Sequence, residues 1–119
     1  MKAWIGKAIV GIGIIHCLFG VVFSRSTLAL LWSEGLINTV NGHPEREFAF
    51  WFLAFGLLAI ILGSFINWTE RKGIIPPPFL GWSLFVLTVA VVTIMPLSGG
   101  WLVFIPALGA IIRSRTRTS

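Results

Sequence analysis

The 119-residue chain has no aspartate, no tyrosine and one cysteine, Cys17, and only 11% of its residues are charged. Each scarcity excludes something. A lone cysteine rules out an intramolecular disulfide framework. About 25% charged residues is usual for a soluble domain, and a soluble protein this small would lack the polar surface to cover its own core. Composition therefore excludes a soluble domain, a disordered tail and a nucleic-acid-binding module. No metal is expected, because two distant histidines and one cysteine make a poor ligand set. No cofactor is expected either, since no Walker loop, Rossmann glycine pattern or HExxH is present. Two axial histidines for a haem would both have to lie in a bundle, and His43 belongs to a loop.

What remains is apolar: 56% hydrophobic residues, with 10 Phe and 6 Trp, and a mean hydropathy of +0.94. Four runs stand out, at residues 4–23, 48–68, 79–97 and 101–112. A membrane-crossing helix needs about 20 residues, so the first three suffice. The fourth reaches only roughly 18 Å at helical rise, and must thin the bilayer or borrow flanking residues. Pro96 ends the third run and Gly99-Gly100 turns the chain tightly into the fourth. The expected fold is a single all-α integral membrane domain, residues 1–119: a four-transmembrane-helix bundle with the first helix retained rather than cleaved as a signal peptide.

The net charge of +5 comes from nine basic residues that flank these runs instead of forming a patch. With four crossings, Lys2, Lys7, Arg71, Lys72, Arg113, Arg115 and Arg117 share one side, and Arg25 and Arg46 lie on the other. Seven against two puts both termini in the cytoplasm by the positive-inside rule, in a cell inner (plasma) membrane. Trp4, Trp68, Trp82 and Trp101 fall near span ends, where indole suits the interface.

Small residues recur every seven positions as Gly6, Gly13 and Gly20 in the first span and as Ala49, Gly56 and Gly63 in the second. In lipid, helices associate by close approach at small residues. This spacing predicts an antiparallel pair, seam against seam. The inner loop, 69–78, ends in Pro76-Pro77-Pro78, which predicts an extended, helix-free entry to the third span.

The outer loop, 24–47, is long enough to carry structure of its own. Ser26 or Thr27 is expected to cap an amphipathic helix over Leu28–Val40, with Leu28, Leu31, Trp32, Leu36 and Val40 along one stripe. Glu34 and Asn38 then share its polar face. The charged cluster His43-Pro44-Glu45-Arg46-Glu47 follows, directly above the second span. His16 lies beside the glycine seam, roughly 11 Å below the outer end of its helix. An ionisable residue within a span is a functional candidate. The expectation is an outer-facing pocket in which His16, Glu34, His43 and Glu47 converge.

The pocket would take a hydrophobic small molecule of isoprenoid or lipid-like character, against aromatic faces free of tyrosine hydroxyls. Glu34, His16 and Glu47 are the candidate acid–base residues, and Asn38, His43, Trp32, Trp51 and Phe52 the candidate ligand contacts. If the protein is an enzyme, it is of the membrane isomerase or cyclase type. The alternative is a non-catalytic membrane subunit or assembly partner, with a homo-oligomer as one form.

Four short spans suggest the small multidrug-resistance transporters, but that family depends on a carboxylate in the first span, where this chain has His16. A better match lies in Trp4-Ile5-Gly6-Lys7, Gly11-Ile12-Gly13-Ile14-Ile15-His16, the run from Pro44 through Leu53 with Gly56 and Gly63, and Pro96-Leu97-Ser98-Gly99-Gly100-Trp101. These resemble a family of small bacterial four-helix membrane proteins of unknown function. The resemblance implies the four-span fold and no particular activity.

Overall fold

A computed structural model describes residues 3–96 and 99–115. Leu97 and Ser98, the expected end of the third span and its turn, lie outside the described residues, as do Lys2 and Arg117. The described chain is helical, with no strand. In order come α1 (Ile5–Phe23), α2 (Arg25–Glu34), α3 (Pro44–Arg71), α4 (Pro78–Ile94), a 3-10 segment (Gly99–Val103) and α5 (Phe104–Arg115). Two helices, α1 and α3, are long and apolar enough to cross a membrane.

The glycine seam forms as the spacing predicts. A Cβ on Gly13 would stand 2.9 Å from the carbonyl oxygen of Gly56, and one on Gly63 would stand 2.8 Å from that of Gly6. Position rises along α1 as it falls along α3, so the pair is antiparallel, and Ala49 is fully buried where the seam continues. Such contact requires glycine, because any side chain would hold the backbones apart. A second seam joins α4 to α5, where Gly81 lies against Ile111 and Ala110. α5 meets α1 at Gly109, which seats the ring edge of Trp4. Ile5, Ile9, Ile66 and Ala110 form the buried core between the two pairs, with Leu80 and Leu84 packed against it.

Several element boundaries correct the expectation. The outer helix runs over Arg25–Glu34 instead of Leu28–Val40, with Ser24 at its cap. It stops at Gly35, whose φ of 85° leaves the helical region, and Asn38 has φ 60°. Leu31 is its one buried residue, while Trp32 and Leu36 of the expected stripe are exposed. Glu34 and Asn38 therefore share no helix face.

The second long helix extends beyond the expected 48–68 at both ends. Pro44 occupies the first turn, where its missing N–H costs nothing, and Glu45 and Glu47 there complement the helix dipole. The charged cluster expected as loop is thus the start of α3, and Thr69, Glu70 and Arg71 are its last turn. Pro77 is extended at φ −67° and ψ 150°, as the triple proline requires, and α4 starts at Pro78 and ends at Ile94. The fourth run is offset from 101–112. Its helix starts at Phe104 and ends at Arg115, and the 3-10 segment lengthens the return path.

Candidate functional site

The C-terminal end of α1, the start of α2 and the first turn of α3 surround an open cleft of about 380 Å³ lined by Phe23, Ser24, Thr27, Pro44, Glu45 and Phe48. It exists because one residue, Ser24, separates α1 from α2. The chain turns sharply there, and the first turn of α3 closes the opposite side. Phe23 and Phe48 supply apolar walls, and both are well exposed. Ser24, Thr27 and Glu45 supply polar atoms.

The other outer acids are engaged in holding the loop. Glu34 pairs with Arg46 at 2.8 Å, and Arg46 also donates to the Thr39 carbonyl oxygen at 2.9 Å. Glu47 accepts from the Gly42 backbone N–H at 3.2 Å. His43 is the cap residue of α3, and its carbonyl oxygen accepts from the N–H groups of Arg46 and Glu47. The Glu45 side chain makes no hydrogen bond or ion pair among the described residues.

His16 lies on the seam, as expected. Its ring stacks on Phe52 at 3.8 Å between centroids, nearly parallel, and meets Phe55 at 5.5 Å. Its Nε2 is buried without a hydrogen-bond partner. Cys17, the next residue, donates its thiol to the Leu53 carbonyl oxygen at 3.8 Å. Of the expected site residues, the structure joins His16 to Phe52, Glu34 to Arg46 in the first turn of α3, and Glu47 to the Gly42 N–H in the loop. No hydrogen bond links His16 to a carboxylate. Trp32 and Trp51 are largely exposed, with Trp51 edge-on to Phe50 at 5.3 Å. Asn38 and His43 are exposed on the loop. Among the described residues no group of three or more His, Cys, Asp or Glu side chains is placed to hold a metal ion.

Sequence reasoning passed over the most deeply buried charge. Glu70 is 2% exposed. It accepts from the backbone N–H groups of Trp4, Ile5 and Gly6 and forms an ion pair with Arg113. Position alone puts it in a solvated inner loop. A local signal existed: α1 begins with no Ser, Thr, Asp or Asn to cap it, so its first N–H groups needed an acceptor from elsewhere.

Residues 1–117 match the model of a family of unknown function, DUF6463, and the chain belongs to that family. No curated protein and no solved structure matches it.

Proposed function

We propose that this chain is a four-span protein of the plasma membrane, with both termini inside, that binds a hydrophobic small molecule with a polar end in the cleft on its outer side. The cleft between Phe23, Phe48 and Glu45 carries the reading. Its volume lies at the lower end of the range usual for ligand sites, about 300–1,000 Å³. Its walls are apolar where a chain or isoprenoid tail would lie. Ser24, Thr27 and Glu45 meet the polar end.

The membrane part rests on exposure. Of the most apolar 18-residue stretches of α1 and α3, only 28% and 22% is buried. Contiguous apolar surface of that kind needs a cover, and lipid supplies it. Binding is better supported than proton transfer, because Arg46 holds Glu34, the Gly42 N–H holds Glu47, and neither acid bonds to His16.

The test uses the purified protein in neutral maltoside micelles, titrated with geranylgeraniol and followed by amide NMR. Saturable shifts are expected at Ser24, Thr27 and Phe48, with α4 and α5 unmoved. Phe48→Ala should weaken binding by about tenfold, because it removes one apolar wall of the cleft. Absence of a saturable shift at these amides, or an unchanged affinity in Phe48→Ala, would overturn the reading.

A further inference from the structure

The inner ends of α1, α3 and α5 meet on a single carboxylate, far from the outer cleft. The first amides of a helix have no acceptor within it, and Trp4, at the cap position of α1, makes no side-chain cap hydrogen bond. Glu70, in the last turn of α3, supplies the acceptor. Its Oε2 takes the N–H of Trp4 at 3.3 Å and of Ile5 at 3.2 Å, and its Oε1 takes that of Gly6 at 2.7 Å. The positive end of the α1 dipole favours a carboxylate at this place. Arg113, in the last turn of α5, completes the neutralisation through its Nη1.

The two parts of the protein differ in what holds them. α1 and α3 are sealed along the whole glycine seam, and α4 and α5 along their own. Among the described residues, α3 makes no close backbone approach to α4 or α5; the hairpin's backbone approaches the first pair at α1, through α5 and the 3-10 segment, and meets α3 only through side chains. Glu70 and Arg113 therefore form an ionic link from α3 to the hairpin, reaching across the start of α1.

We propose that Glu70 is a cross-chain cap and latch: the first amides of α1 and Arg113 make an anion site that the chain fills with its own carboxylate, and this docks the α4–α5 hairpin onto the α1–α3 pair. The two partners have separable roles. Loss of Glu70 strips the acceptor from α1 and removes its ion pair with Arg113 together. Loss of Arg113 leaves the amides capped and releases only the hairpin.

The experiment places spin labels at Lys7 and Ile112, both exposed, in a Cys17→Ser background, and reads the distance distribution in micelles. A narrow distribution is expected with Glu70 and Arg113 intact. Glu70→Ala and Arg113→Ala should both broaden it. Formate at high millimolar concentration should narrow it again in Glu70→Ala, by occupying the vacated anion site, and should leave Arg113→Ala broad. A narrow distribution in Glu70→Ala, or a formate response that is absent or shared by both variants, overturns the latch.

Hydrogen exchange on the unaltered chain needs no variant to fold. The amides of Ile5 and Gly6 should exchange about tenfold or more slowly relative to Phe79. Phe79 is a first-turn amide of α4 at the same end that donates to no acceptor among the described residues. Equal exchange overturns the proposal.

Discussion

Glycines of one composition have different consequences, depending on what stands where a Cβ would be. At Gly63 an added methyl would lie 2.7 Å from the backbone nitrogen of Val10 and 2.8 Å from the carbonyl oxygen of Gly6. Neither atom can rotate away, so the two helices must separate. At Gly11, in the same pair of helices, nothing lies within 4 Å of an added Cβ. Gly63→Ala should cost about 1–3 kcal/mol, the range for forced overpacking. Gly11→Ala should be neutral or stabilise by roughly 0.5–1 kcal/mol, because alanine restricts the unfolded chain and favours helix. Reversible unfolding in mixed micelles, comparing both variants with the parent, checks the opposite signs. Arg46 makes a third kind of case. Its side chain is only 12% exposed, and it ties Glu34 to the Thr39 carbonyl oxygen. Since Glu34 is 44% exposed, the pair is worth at most about 1 kcal/mol. Arg46→Ala should loosen residues 35–43, seen as faster amide exchange there, and leave the midpoint of global unfolding within experimental scatter.

The elements differ in how each is held, and α2 depends on one side chain. It packs against α1 and α3 with Leu31 as its buried residue, 3% exposed. Leu31→Ala should cost about 2–3 kcal/mol, concentrated in the release of α2, with the α1–α3 seam intact. Limited proteolysis at Arg25 together with amide exchange across 25–34 would separate that local loss from global unfolding. The same elements mark where sequence was readable. α1 is found within one residue of its apolar run, because apolar length and helix length coincide there. The seven-residue glycine seam was legible too, since it depends on spacing within each helix. α3 exceeded its apolar run at both ends because capping sets helix ends. Pro44 at the first position starts the helix among charges that read as loop. α2 fell short for the converse reason: Gly35 and Asn38 take positive φ values that end a pattern still periodic in apolar residues. Glu70 stayed hidden because its partners are 64–66 residues away in one direction and 43 in the other. A charge next to Arg71 and Lys72 looks solvated until the tertiary fold supplies an uncapped helix start. The charged cluster at 43–47 was legible as composition, but the cleft beside Ser24 and Glu45 was not, because it depends on the one-residue break between α1 and α2.

At the scale of the whole molecule, the distribution of charge along α3 sets how the protein would sit in a bilayer. Between Glu47 and Glu70 lie 22 residues without an acidic or basic side chain, about 33 Å at helical rise. That matches the roughly 30 Å hydrocarbon thickness, so in the four-span arrangement proposed above both charged ends of α3 would fall at the two interfaces. At the inner end, Glu70 is buried but paired, and Arg71 and Lys72 next to it are exposed. At the N-terminal end of α3, Arg46 is tied to Glu34 and to the Thr39 carbonyl oxygen. Two exposed sites at opposite ends of this helix report its orientation. Asn41 lies in the turn before α3, and Lys72 is the residue at which it ends. In a Cys17→Ser background, Asn41→Cys should react with a membrane-impermeant maleimide added outside intact cells. Lys72→Cys should react only after the inner face is exposed in inverted vesicles. The reverse pattern would place the termini outside and invalidate the seven-to-two count as a guide to this chain. Equal reaction of each site from both sides would mean insertion in two orientations, and the outer cleft would then open to both compartments. One-sided labelling puts the cleft on the outside alone, so its ligand must come from the outer leaflet or the surrounding medium.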